Sequence, residues 1–283
     1  MSKLNKKFKK KYSVTIKLFI IAIVLFAISL QDPLLNIVEN SNNINYNQET
    51  KILEFDSLTL KQKIAQMLIT YSKDANTAAF QKMFIGGIFV DAQEDKQFFI
   101  DKINKFQSNS IIPLFVSTDM EGCRNPFENF KQFSTFAEIN SNEESYNIAI
   151  QQGQLLEELG FNMNLAPVVD LEDTIWNCRS FNGNVEEISE KARYYIKGLH
   201  DMKILSIAKH FPGKTLNVGD THTGSAKATI ESEDLLPFLS TINSGVDGIM
   251  ISHMVVDGAI DSNSKPSMTS KEVIEQLKQS FNG

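Results

Sequence analysis

Residues 204–222 read Ile204-Leu205-Ser206-Ile207-Ala208-Lys209-His210-Phe211-Pro212-Gly213-Lys214-Thr215-Leu216-Asn217-Val218-Gly219-Asp220-Thr221-His222. The apolar run Ile204, Leu205, Ile207 and Ala208 leads straight into Lys209 and His210, so these two are expected at the end of a buried strand. In a barrel of alternating strands and helices, that end is where catalytic groups sit. Two adjacent donors there face a desolvation cost unless something polar meets them. The rigid Phe211-Pro212-Gly213 turn that follows strengthens the reading as a ligand site. Asp220 stands two residues before His222 in a loop segment. A carboxylate beside an imidazole fixes its tautomer and raises its pKa, which suits a general acid. His210, His222 and Asp220 form a metal set only on paper, because no helical His-x-x-x-His or Cys pair supports one. No metal and no cofactor is expected.

Working outward, five further apolar runs precede or follow this one: Met67–Thr70, Ile85–Val90, Leu114–Asp119, Met163–Asp170 and Gly248–His253. They are continuous rather than alternating, as strands buried on both faces are. Helical stretches separate them; in 147–159, Ile148, Leu155, Leu156 and Leu159 recur at helical spacing. Strand–helix alternation implies a parallel α/β sheet. Asp119, Asp170, Lys209, His210 and His253 all fall at the C-terminal ends of these runs. A doubly wound sheet places ligands similarly, but no Gly-rich phosphate loop follows the first strand, so a barrel is preferred. Folded structure is expected to begin near Ser57, with Thr59 and Gln62 in a capping-box pattern.

The bulk numbers bound the partners. The formal net charge over 283 residues is −6, yet Lys3, Lys6, Lys7, Lys9, Lys10, Lys11 and Lys17 crowd the start, leaving −13 on the rest. A body that acidic does not suit phosphate backbones, so nucleic acid is excluded as a partner. Leu18–Leu30 is an uncharged, almost wholly apolar run of 13 residues. A basic start plus such a run fits a secretory signal, with Ala27 and Ser29 as a small-x-small cleavage site. Extended back to Val14 past Lys17, it also fits an uncleaved membrane anchor. Both readings place the body outside the cytoplasm. Residues 1–30 are thus read as signal or anchor, the Asn/Gln-rich 31–51 as a linker, and 52–283 as the folded domain.

Two segments carry further polar groups: Ser117-Thr118-Asp119-Met120-Glu121-Gly122-Cys123-Arg124 and Cys178-Arg179-Ser180-Phe181. With Leu-Gly-Phe-Asn-x-Asn-x-Ala-Pro-Val-x-Asp at 159–170, Lys209–Gly213, Asp220–His222 and Gly-Val-Asp-x-Ile-Met-x-x-His at 245–253, they resemble glycoside hydrolase family 3 β-N-acetylglucosaminidases. The likeness runs from about residue 57 onward, in order. It implies a (β/α)8 TIM barrel of which this chain holds about six βα units. It also implies a terminal β-linked N-acetylglucosamine substrate bound by Asp119, Arg179, Lys209 and His210. His222 would be the acid/base of a retaining mechanism, assisted by Asp220.

The chain departs from the family pattern at four points. Cys123 replaces a glycine and Cys178 an acid; both lie on loops above neighbouring strands, and a bridge between them is expected on export. Phe127 stands where the family has a further sugar-binding arginine, which implies an altered grip. The family nucleophile, an aspartate just after the seventh strand, finds no counterpart, because that strand would begin at Phe281-Asn282-Gly283. Little turnover is therefore expected of the 283 residues as written, with Glu121 and Asp257 the remaining carboxylates to examine. The other readings are a non-catalytic amino-sugar or cell-wall binding protein and a phosphorylase using phosphate as acceptor.

Overall fold

The computed structural model describes residues 44–72, 77–108, 110–218 and 226–280. The lysine-rich start, the Leu18–Leu30 run, Asp220 and His222 lie outside the described residues. Among the described residues no helix is long and apolar enough to cross a membrane.

Strands β1 (Tyr46–Asn47) and β2 (Ile52–Leu53) pair antiparallel ahead of the main sheet. The Asn47 side chain accepts the Glu49 and Thr50 N–H groups and so closes the turn between them. Then come α1 (Leu60–Ala65), β3 (Ile69–Tyr71), α2 (Thr77–Met83), β4 (Gly87–Phe89), α3 (Lys96–Gln107) and β5 (Phe115–Thr118). The chain continues through α4 (Asn142–Leu159), β6 (Met163–Asn164), α5 (Val185–Asp201), β7 (Leu205–Phe211) and β8 (Lys227–Ile230). It ends with α6 (Leu236–Asn243), β9 (Gly248–Ile251), β10 (Val255–Gly258) and α7 (Lys271–Ser280).

Helix starts follow local chemistry. Thr59 and Gln62 form the expected capping box on α1, and Asn184 and Glu187 form another on α5. Helix α4 ends at Gly160, whose φ of 91° is the left-handed conformation that a C-terminal cap requires.

Strands β3, β4, β5, β6, β7 and β9 form one parallel six-stranded sheet in that order. Each strand thus lies beside its predecessor among these six, with no reversal of order. A doubly wound sheet reverses at a switch point, so the order is that of a (β/α)8 barrel, here six strands of it. All six expected strands form. The Met163–Asp170 run is the one that differs most, because its ladder narrows after Asn164. Pro167 has no N–H to donate, and the chain rejoins β7 through a single Val168–Lys209 bridge. Sequence reading did not separate the parallel pair β8 and β10. Both are four residues long and half exposed, too short to show a period.

The helices cover the outside of the sheet. Helix α5 buries Ile188, Ala192, Tyr195, Ile196 and Leu199 on one stripe and packs along α4. Phe127 is fully buried, its ring 4.9 Å from Phe99, 5.7 Å from Phe161 and 6.0 Å from Phe130. The position that resemblance assigns to a sugar-binding arginine therefore faces the core, and volume filling explains its aromatic side chain.

Candidate active site

Parallel strands all end on the same side of a sheet, so their C-terminal loops converge. Three such loops build the site. The β5 loop carries Asp119, Glu121 and Arg124; the segment after β6 carries Asp170 and then Arg179; β7 itself carries Lys209 and His210.

At its centre is a chain of alternating charges. Lys209 Nζ lies 2.6 Å from Asp119 Oδ1 and 2.6 Å from Glu121 Oε2. Glu121 Oε1 in turn accepts from Arg179 Nη2 at 2.5 Å. Arg124 Nε stands 3.6 Å from the other Asp119 oxygen, at the rim. Glu121 and Lys209 are buried, Asp119 and Arg179 are nearly so, and Arg124 is half exposed. Buried charges of this kind persist only when each meets an opposite charge; the Lys209–Glu121 Oε2 contact is a charge pairing without hydrogen-bond geometry, and Arg179 Nε is buried without a hydrogen-bond partner. Burial by itself would raise the Asp119 carboxyl. The charge and hydrogen bond of Lys209, with the charges of Arg124 and Arg179, outweigh it and hold the group below its ordinary value of 3.8. Asp119 is therefore an ionised acceptor, with a cation on either side and some access to solvent.

His210 belongs to a neighbouring unit. Its backbone N–H and its Nδ1 both meet Asp170 Oδ2, at 3.1 and 3.0 Å. The other Asp170 oxygen accepts the Thr215 N–H at 2.7 Å. Both Asp170 oxygens already accept backbone N–H groups, so the Nδ1 contact is satisfied by the tautomer that carries hydrogen there, which turns Nε2 away from Asp170. Among the described residues no group of three or more His, Cys, Asp or Glu side chains is arranged to hold a metal ion.

Several further residues hold this frame. Asn164 accepts the Met120 N–H and donates to the Met120 carbonyl, each at 3.0 Å, which pins the backbone between Asp119 and Glu121. Asn162 does the same at the start of β5, through the Val116 N–H and the Leu114 carbonyl. Gly122 turns the chain at φ 51°, and a Cβ there would sit 2.1 Å from the Cys178 carbonyl oxygen, so only glycine fits. Beside it Cys123 and Cys178 are joined by a disulfide, their Cα atoms 5.4 Å apart. The bridge ties the Glu121 loop directly to the Arg179 loop. It closes a segment of sequence separation 55, for which chain entropy gives about 4 kcal/mol of stability. Reduction of the folded protein is expected to lower its unfolding free energy by about that amount, read from urea denaturation with and without reductant.

Asp173 organises the second loop. Its carboxylate accepts the N–H groups of Trp176, Cys178 and Arg179 at 2.8, 3.0 and 2.8 Å. Burial would raise this carboxyl, but those bonds, with one from Asn177, outweigh it and lower it below 3.8. A group lowered by folding contributes its stability above the unfolded value and loses it as pH falls through the folded one. The loop is accordingly expected to hold from neutral pH down to 3.8 and to loosen only below that. Emission from Trp176, the chain's single tryptophan, reports it; a change well above that pH would contradict the assignment.

Of the residues singled out from sequence, Asp119, Arg179 and Lys209 meet in one cluster, and His210 stands beside Lys209 on β7. His222 and Asp220 fall outside the described residues, although their flanks are held on both sides: Asn217 donates to Glu172, and Val255 N–H to the Ala226 carbonyl. His253 is exposed just past β9, and Asp257 is exposed on β10. Sequence reading missed the bridging role of Glu121. A signal was present, since Asp119 and Glu121 are two apart and share a face in extended chain.

Three comparisons bear on this geometry. Residues 59–283 match the glycosyl hydrolase family 3 N-terminal domain. The β-hexosaminidase LpqI of Mycobacterium bovis (strain BCG / Pasteur 1173P2) is 27% identical over 240 residues, covering 78% of this chain and 61% of that protein. The chain therefore spans less than two thirds of that relative. The structure of a glycoside hydrolase family 3 β-N-acetylglucosaminidase from Paenibacillus sp. str. FPU-7 superposes with a TM-score of 0.72 at 25% identity, over 80% of this chain and 48% of that one. A family 3 glycosyl hydrolase from Mycobacterium smegmatis str. MC2 155 gives 0.68 at 28% identity, over 80% and 73%. With the match running through four fifths of its length, the chain belongs to glycosyl hydrolase family 3, as that family's N-terminal domain.

Proposed function

We propose that this domain acts on terminal β-linked N-acetylglucosamine as the catalytic domain of a glycoside hydrolase. The observation that carries the reading is the Asp119–Lys209–Glu121–Arg179 charge chain at the C-terminal strand ends. Asp119 would accept hydrogen bonds from neighbouring sugar hydroxyls, while Lys209 and Arg179 donate. Glu121 keeps both cations in place between turnovers. His210, oriented by Asp170, would present Nε2 to the same sugar. In this reading a carboxylate nucleophile, for which the resemblance assigns no residue among the 283, attacks the anomeric carbon while His222, steadied by Asp220, protonates the leaving oxygen; His222 then activates the water that frees the sugar from that carboxylate. The names of the relatives, β-hexosaminidase and β-N-acetylglucosaminidase, favour this substrate class. The lysine-rich start and the Leu18–Leu30 run favour an extracytoplasmic placement, and the Cys123–Cys178 bridge fits an oxidising compartment.

Calorimetric titration with N-acetylglucosamine tests the binding half: heat with the native chain that disappears in Asp119→Asn supports it, and no heat sinks it. Release of 4-nitrophenol from the 4-nitrophenyl β-N-acetylglucosaminide tests the chemistry. Turnover abolished by His222→Ala marks a hydrolase, and sugar 1-phosphate formed only with added phosphate marks a phosphorylase. Binding without turnover is the outcome expected of these 283 residues, for which no nucleophile is assigned, and it fits the hydrolase domain and an amino-sugar binding protein alike.

A further inference from the structure

Trp176 is 54% exposed, and its neighbour Ile175 is 36% exposed. A large ring left in water forgoes the gain of burial, which on a loose loop would be unremarkable. This loop is tied at every step. Asp173 accepts the N–H groups of Trp176, Cys178 and Arg179, and Thr174 Oγ1 and the Ile175 N–H both donate to the Leu216 carbonyl. Cys178 is bonded to Cys123 on the facing loop. The ring is thus held outward by a braced backbone.

Its position is as informative as its exposure. The ring centroid lies 6.0 Å from the guanidinium carbon of Arg179, the residue whose Nη2 bonds Glu121. Trp176 therefore stands one side chain outward from the charge chain, on its solvent side. A β-linked glucosamine ring carries equatorial substituents and leaves axial C–H groups on its faces, and the negative face of an indole attracts such hydrogens. A pre-braced platform also saves the ordering cost that a loose loop would incur on binding.

We propose that Trp176 is the platform of a second sugar subsite, stacking on the residue next to the terminal N-acetylglucosamine. This rests on the reading of Asp119, Arg179, Lys209 and His210 as the first subsite. The test titrates the 283-residue chain with N-acetylglucosamine and with N,N′-diacetylchitobiose, following heat and tryptophan emission together. The disaccharide is expected to bind about three- to tenfold more tightly, to shift the emission to shorter wavelength and to shield it from acrylamide. In Trp176→Ala the disaccharide affinity should fall to that of the monosaccharide, with Trp176→Phe keeping part of the gain. Monosaccharide binding with no disaccharide gain, a gain that survives Trp176→Ala, or a gain without an emission change would each overturn the subsite alone. Absence of heat with either sugar would overturn the first-subsite reading and the platform with it.

Discussion

Replacing Lys209 with methionine is expected to abolish N-acetylglucosamine binding and to cost about 3–5 kcal/mol of folding stability. The side chain is 2% exposed and sits 2.6 Å from each of two carboxylates, one of them fully buried. Methionine fills a similar volume, so lost packing is a small part of the effect. The larger part comes from Asp119 and Glu121, left facing each other without the cation between them. Urea denaturation of K209M measures the loss, and K209M/D119N supplies the control. Removing the charge of Asp119 together with that of Lys209 leaves Glu121 paired with Arg179 and should restore part of the stability, because the penalty belongs to the uncompensated charge. It should not restore sugar binding. Equal stability of K209M and the native chain would mean that the cluster is open to water and its pairing energetically minor.

Asp170→Ala is the second large effect, with about 3–4 kcal/mol expected from the loss of acceptors for buried N–H groups. Asp170 is fully buried and serves three donors: His210 N–H, His210 Nδ1 and Thr215 N–H. It therefore joins the imidazole to the chain that leads from β7 toward residues 219–225. Asp170→Asn keeps an oxygen acceptor and should retain part of the stability, but its amide no longer favours hydrogen on Nδ1 as a carboxylate does. Nitrogen chemical shifts of the His210 ring distinguish the two roles. Loss of stability with an unchanged tautomer would reduce Asp170 to a brace for the turn.

Much of the fold was legible because its signals are local. Six continuous apolar runs separated by helical stretches pointed to a parallel sheet, and each run became a strand. The Thr59–Gln62 cap needs only four residues to be recognised. Elements without a local period went unseen: β8 and β10 are four residues each and draw their stability from each other, 28 positions apart in register. The narrowing of β6 depended on Pro167, whose missing donor matters only once the partner strand is known.

The site divides along the same line. Residue type and place at a strand end singled out Lys209 and His210, and the family resemblance added Asp119 and Arg179. The tertiary structure alone decided how they act on one another. Asp119 and Lys209 are 90 residues apart and meet because parallel strands deliver their C-terminal ends to one side of the sheet. Glu121 looked like one acid among several until Lys209 and Arg179 were placed on either side of it. Phe127 read as a missing arginine until three phenylalanine rings surrounded it. By itself, then, the sequence determined which segments are buried and which end of each carries polar groups, since burial and capping act over a few residues. The Cys123–Cys178 bridge was expected once the resemblance set both cysteines on neighbouring loops, and the structure forms it; charge pairing and the outward stand of Trp176 depend on distances across the sheet, and those exist only after the chain has folded.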